Sequence, residues 1–418
     1  MYVTRPLSLY RRDPSAASLP PPEGPNSGVL VIQDEEAQPT CLFGLMNSSR
    51  VTDLPFPQNK NLQVRYTKRT GEHRRVPIGL YSHVETDRVV FIPALDHPLS
   101  ANRYYVIKQD GKHKGEAYRN STEEEMTTCC FCSCISDRKP EPFEPHGEDV
   151  HQQFEISRRR YWHGGSGYHA KSVAGGGFPP LFLRREGWTL HTSKSRDLKL
   201  DEALGVDSNL RARLPDFNSV LSGEKTDRVS VPRVVGKWYC PFLFVKESGM
   251  GVQDQVDRSR FYEMTLEQRW EPIFRCNNDV EGNANSFVNI DVLVETETVR
   301  VGERDVVGHK VGENDGVVWF RRVGLDNNAG EEGMRVGLSK VIVERMKWEE
   351  ERVGWRSGEG GKNRVKKVEE FGGGGGINNW KRFGYFVLVE RFVLRRMGGG
   401  FLMSYEFKHI HQFRTKWE

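Results

Sequence analysis

The run TTCCFCSC, Thr127 to Cys134, gathers four of the chain's seven cysteines into six positions: Cys129, Cys130, Cys132 and Cys134. Thiols at this density suit metal ligation, thiol–disulfide chemistry or S-acylation at a membrane surface. Structural zinc favours C-x-x-C knuckles, usually in pairs, which fold two thiolates around one ion. Only Cys129 with Cys132 has that spacing, and no second pair lies near it. On one strand Cys130, Cys132 and Cys134 share a face at intervals of about 6.5 Å, too wide for two thiolates to share an ion without a kink. Free cysteine also packs as a small hydrophobe. The run reads as a packed strand, and Cys129, Cys130, Cys132 and Cys134 stand as the candidate metal or redox ligands.

Histidine offers the next candidates. His409 and His411 stand two apart on one strand face, a spacing that could hold a metal, against the plainer reading of exposed or hydrogen-bonded histidines. His163, His169 and His191 with Ser166 and Asp197 could be arranged as a triad. With twelve histidines in the chain such selections are free, and the sequence does not favour this one. GEGGKN lacks both the spacing and the terminal Ser/Thr of a phosphate-binding loop. GGSGY places Tyr168 where a nucleophile elbow needs glycine. No catalytic constellation emerges, and no cofactor is expected.

The elements that must position these residues read as strands. GVLVIQD, LQVRYTKR, RVVFIPAL and RYYVIKQDG are short apolar runs closed by polar turn residues. SFVNIDVLVETETVRV alternates, with Val288, Ile290, Val292 and Val294 on one face and Asn289, Asp291 and Glu295 on the other. YFVLVERFVLRR, three glycines and FLMSYEFKHIHQF read as a hairpin, with Phe401, Met403, Tyr405 and Phe407 on its inner face. GKWYCPFLFVKE is a strand covered on both faces, and Pro241 pushes it toward an edge or a bulge. Three helices are predicted: a short one in DEALGVDSNLRARLPDF, one over TLEQRWEPIF from the Thr265–Gln268 capping spacing, and one in GLSKVIVERMKWEEERVGW. In the last, Leu338, Val341, Ile342, Arg345 and Met346 fall at helical spacing.

The fold class expected is mainly β, or α+β: antiparallel sheets in two packed β-rich units with a few short helices. The divisions are 1–27, an extended Pro/Ser-rich arm; 28–150, an N-terminal β-rich domain; 151–230, an ordered irregular connector; and 231–418, a C-terminal β-rich domain. A weak repeat supports a duplication within 28–150. Val31-Ile32, Thr40-Cys41 and Leu54-Pro55-Phe56 recur in the same order as Val106-Ile107, Thr128-Cys129 and Pro142-Phe143.

Composition excludes several functions. Hydrophobic residues make up 37% of the 418, with 22 Phe and 9 Trp, enough to build cores. The net charge of +4 and pI near 8.6 are mild, and basic clusters such as Arg158-Arg159-Arg160 are short, so no specific nucleic-acid binding is expected. No window matches a membrane span; the most apolar run, YFVLVERFVL, carries Glu390 and Arg391 at its middle. The N-terminus lacks the apolar segment of a signal peptide, so a reducing cytosolic or nuclear compartment with free thiols is expected.

Motifs along nearly the whole chain resemble a plant-restricted family known as domain of unknown function 1262. They include MYVTRPLSLYRRDPSA, LPFPQNKNL, NRYYVIKQDGKHKGEAY, MTTCCFCSC, GFPPLFLRREGW, GKWYCPFLFVKE, FYEMTLEQRWE and HIHQFRTKWE. The resemblance implies a land-plant protein and carries no activity or ligand with it. The function expected is a non-catalytic binding or regulatory module with a protein partner. The alternatives are a thiol- or metal-using protein centred on Cys129 to Cys134, or an S-acylated peripheral membrane protein.

Overall fold

The structure is a computed structural model. It describes all residues except 39, 42–45, 70–81, 130–131, 145–149, 161–165, 194–197, 218–220, 222–230, 279–286, 303–306, 323–333 and 373–379. About half of the described chain is strand and little is helix, and the sheets are antiparallel apart from one pairing, so the expected mainly-β class holds.

A twelve-stranded sheet dominates. Its principal strands, numbered along the chain, are β1 (Tyr2–Pro6), β2 (Gly28–Ile32), β3 (Arg233–Pro241), β4 (Val245–Glu247), β5 (Phe261–Asn277), β6 (Glu297–Val301), β7 (Val307–Asn314), β8 (Val317–Arg322), β9 (Arg335–Ser339), β10 (Arg382–Arg396) and β11 (Phe401–Trp417). They lie in the order β4-β9-β8-β7-β6-β11-β10-β5-β3-β1-β2, with Gly205–Val206 added on β3. Only β1 and β2 run parallel. A seven-stranded sheet orders Ser166–Ser172, Gln153–Arg160, Arg103–Lys108, Ser82–Pro93, Leu62–Arg69, Thr189–Thr192 and Arg50–Val51.

The apolar pattern explains how the sheets stack. In Val89–Pro93 and Tyr104–Ile107, within the strands Ser82–Pro93 and Arg103–Lys108, both parities are apolar and both faces are buried. Val90, Ile92, Tyr105 and Ile107 join Tyr2, Tyr239 and Phe244 in a core shared with the large sheet. Phe91, Tyr104 and Val106 face the other way, onto Phe56, Phe154 and Trp188. The two-stranded sheet of Phe287–Glu295 with Lys362–Glu370 drives Val288, Ile290, Val294 and Val365 into a third core with Trp380, Phe383 and Tyr385. This is the face predicted from alternation. The predicted C-terminal hairpin is β10 with β11.

Four expectations need correction. Thr265 and Gln268 do not start a helix. They lie inside β5, a 17-residue strand paired with β3 over Phe261–Gln268 and with β10 over Tyr262–Asn277. Tyr262, Met264 and Leu266 enter the shared core, and pairing on both sides overrides the local capping signal. Pro241 ends β3 and does not mark an edge, since β3 sits between β1 and β5.

Residues 1–27 do not form a free arm. β1 is an interior strand, with Met1, Tyr2 and Val3 buried, because it supplies the apolar row that β3 needs on its open side. Residues 151–230 contribute three strands to the seven-stranded sheet, which place Phe154, Ile156, Tyr168 and Leu190 in its core. Of the repeat segments, Val31-Ile32 lies in the large sheet and Val106-Ile107 in the smaller one, whereas Thr40-Cys41 and Thr128-Cys129 each belong to a separate two-stranded antiparallel sheet.

Candidate functional site

The cysteine run is a hairpin. Met126–Cys129 pairs antiparallel with Cys132–Ile135, and Cys129 stands opposite Cys132 in the backbone register. A lone strand would leave its ladder groups unpaired, and folding back satisfies them. Cys130 and the side chains of Cys129, Cys132 and Cys134 lie outside the described residues.

The imagined triad is not assembled. His169 meets the hydroxyl of Ser157 at 3.0 Å, not that of Ser166. His191 has Thr189 and Ser49 as partners. His163 and Asp197 lie outside the described residues.

His409 enters a site the sequence did not assemble. Between β10 and β11 the register jumps, with Val387 opposite Phe413 but Leu388 opposite His409, so residues 410–412 bulge. Bulges re-aim side chains. His409 is fully buried, whereas its neighbour His411 is exposed. The imidazole Nε2 lies 2.9 Å from Glu350 Oε2 and 3.3 Å from Glu390 Oε2. Glu350 comes from α3 (Lys340–Glu351), the predicted C-terminal helix, and Glu390 from β10.

Arg211 closes the cluster. It sits on α1 (Ser208–Ala212), a helix whose N-cap Asp207 accepts from the Leu210 amide. Its guanidinium donates through Nε to both Glu390 oxygens, at 3.0 and 3.1 Å, through Nη1 to Glu349 at 2.8 Å and through Nη2 to Glu350 at 3.2 Å. Arg345 and Arg352 also donate to Glu349. Gln268 of β5 donates to Glu390 at 2.6 Å. Arg211, Glu349, Glu350, Glu390 and His409 are all buried.

The electrostatics follow from that burial. Desolvation and the facing Glu390 carboxylate push Glu350 up to about 8. Burial also opposes ionisation of Glu390, but hydrogen bonds from His409 and Arg211 hold it well below the usual carboxylate range. For His409 burial is outweighed by Glu350 and Glu390, which raise it to about 9. Ligand atoms of Glu350, Glu390 and His409 lie within 4.8 Å of one another, a set that could accept a metal. Their oxygens already receive Arg211 and His409, and the cationic His409 joins the guanidiniums of Arg211, Arg345 and Arg352 in offsetting Glu349, Glu350 and Glu390. A pocket of about 340 Å³ reaches this cluster at Arg211, Gln268, Glu390 and His409. The arrangement acts as a brace: it ties α1 and α3 to the large sheet.

A second concavity has the opposite character. A pocket of about 290 Å³ opens where the smaller sheet's loops meet the β4 edge of the large sheet. Gly115 and Phe143 line it from the N-terminal side. Phe242, Leu243, Met250 and Trp319 line it from the C-terminal side. α2 (Val252–Arg258) forms one wall and is held down by a Lys114–Asp257 ion pair and by Gln253, which donates to the Lys112 carbonyl. Gly115 is needed there: its φ is +86°, and a Cβ would come 2.9 Å from Val252.

The carboxylates in this wall are committed. Glu247 receives both Arg396 Nε and the Tyr262 hydroxyl, and Glu116 is paired with His113. Gln255 donates to the Val245 carbonyl and to Tyr262. The sequence hid this site because its walls are drawn from separate segments spread along the chain from Gly115 to Trp319; the clustered aromatics of GKWYCPFLFVKE are its local signal.

Comparison with known proteins adds a partial family match. The model of a family described as "Protein of unknown function (DUF1262)" matches residues 23–131, less than half of the chain. No curated protein matches. The solved structure of Cry35Ab1 aligns with a TM-score of 0.43 at 12% identity, over 87% of this chain and 90% of its own. No helix of the described residues is long and apolar enough to cross a membrane.

Proposed function

We propose that the chain is a non-catalytic binding module that holds a small, largely apolar ligand in the pocket between the N-terminal β-rich part and the β4 edge of the large sheet. One observation carries this reading. The pocket is walled by Phe143, Phe242, Leu243, Met250 and Trp319, while its buried polar groups, Glu247 and Gln255, are already hydrogen-bonded within the protein. Such a wall rewards apolar contact, and its two carboxylates, Glu247 and Glu116, are paired with Arg396 and His113 and are not free as bases. At about 290 Å³ it falls just under the roughly 300–1,000 Å³ range of ligand sites, which suits a small ligand.

Occupancy would bridge the two parts of the chain, and a protein partner could read that change. The motifs beyond residue 131 support placing the whole chain in the plant-restricted family, working inside the cell. The test is ligand-observed NMR with benzyl alcohol against the parent protein and Met250→Trp, which fills the pocket from its half-exposed rim. Saturable binding lost in Met250→Trp supports the reading; binding unchanged in that variant, or none at all, rejects it.

The register that sets Cys129 opposite Cys132 favours a second reading, a redox dithiol. Opposed Cα atoms in such a ladder lie about 4.5–5.5 Å apart, within the span a disulfide bridges. Thiol counts before and after dithiol reduction, with and without Cys132→Ser, test it.

A further inference from the structure

The pocket between the two parts of the chain carries one charge that none of the described residues balances. Lys246 lines it from β4, and among the described residues its ammonium has no ion pair or side-chain hydrogen bond. The other charges on the wall are spent: Glu247 on Arg396, Glu116 on His113. The register fixes where Lys246 stands. Gly337 on β9 is the Cα partner of Lys246 on one side and of Trp319 on the other. Directly opposed residues in an antiparallel ladder project from the same face. Lys246 and Trp319 therefore flank a glycine in one row across three strands.

That glycine matters. A Cβ on Gly337 would lie 3.2 Å from the Trp319 ring atoms and 2.7 Å from Val317, so the indole lies across the bare backbone. On its far side Trp319 is paired with Gly312, where a Cβ would meet nothing within 4 Å. The indole thus has a glycine on each side, one of them beside open space, and a single cation at the end of the row. Trp319 is half-buried and Phe143 and Phe242 are buried, so a ring or short chain entering here loses water on several sides. An anionic group at its end would meet Lys246 at the edge of a low-dielectric wall, where an ion pair is stronger than in bulk water.

We propose that this pocket selects a small amphipathic monocarboxylate, with its apolar ring or chain against Trp319, Phe143 and Phe242 and its carboxylate on the Lys246 ammonium. The inference rests on the binding-module reading of the same pocket and adds the class of ligand. A neutral analogue keeps the apolar contacts and loses the ion pair. A cationic analogue places like charge beside Lys246 and is rejected.

The test is a matched series, 3-phenylpropanoate, 3-phenylpropan-1-ol and 3-phenylpropylamine, titrated by ligand-observed NMR into the full chain, Lys246→Met and Met250→Trp. Circular dichroism melts confirm that the variants fold. The proposal predicts that the acid binds at least tenfold tighter than the alcohol, that the amine binds weakest, and that Lys246→Met brings acid and alcohol level. Equal binding of acid and alcohol to the parent, lost in Met250→Trp, would overturn the ligand class while leaving the pocket reading intact. A preference for the acid that survives Lys246→Met would also overturn it. Absence of binding by all three, or binding indifferent to Met250→Trp, would reject the pocket reading and this inference with it.

Discussion

The buried cluster around His409 makes stability fall as pH rises. His409 is about 1% exposed, and its imidazolium is held between Glu350 and Glu390, which raises its proton affinity from the ordinary 6.5 to about 9. A group whose folded pKa lies above its unfolded value gives stability that is complete below the unfolded pKa and lost as pH passes the folded one. The window is therefore about pH 6.5 to 9. At about 1.4 kcal/mol for each pH unit that separates the two values, the loss across it is on the order of 3 kcal/mol. Glu350 acts in the same sense, because its folded value of about 8 stands above the usual carboxylate range. Glu390, held low, contributes stability that is present at neutral pH and lost only in acid. Urea unfolding at half-unit steps from pH 6 to 10, for the parent and His409→Gln, measures the effect. The parent should lose stability steeply across the window. His409→Gln should be less stable at pH 6 and show a flatter profile. Parallel profiles for the two proteins would refute the assignment.

Other outcomes follow from the same contacts. Arg211→Ala strands Glu349, Glu350 and Glu390 around a lost guanidinium and should cost about 3–5 kcal/mol in chemical denaturation. Deleting residues 398–418 removes β11, an interior strand between β6 and β10, and should give insoluble protein or abolish the cooperative melt. The Cys240 thiol is fully buried and pushed up to about 11, so peptide mapping after maleimide treatment at pH 7 should find it unmodified until the protein unfolds.

The strands are legible wherever apolar residues alternate or run continuously. Val288 to Val294 and the hairpin around Gly398-Gly399-Gly400 stand where their pattern puts them, because their faces are decided locally. Thr265 misleads because capping chemistry is a local signal, and β5 is fixed by partners around 30 residues before it and over 100 after it. β1 escapes the pattern since MYVTRP is too short to show a period, and its burial comes from strands near residue 239.

The cluster is hidden for the same reason. Arg211, Glu350, Glu390 and His409 come from four elements joined only by the fold. Two of its members do leave a trace: Glu390 inside the apolar run YFVLVERFVL, and Arg345 on the apolar face of a predicted helix. A charge on a face that must be buried announces a partner without saying which. His409 is separable from His411 only through the bulge that turns one inward and leaves the other in water.

The central claim is that the Trp319 pocket is a ligand site, and fluorine NMR of the protein carrying 5-fluorotryptophan tests it most directly. The Trp319 signal, identified by its loss in Trp319→Phe, should shift saturably with 3-phenylpropanoate, while those of the buried Trp188, Trp238 and Trp270 stay in place. A Trp319 signal that does not move at saturating ligand, or shifts confined to other tryptophans, would contradict the account.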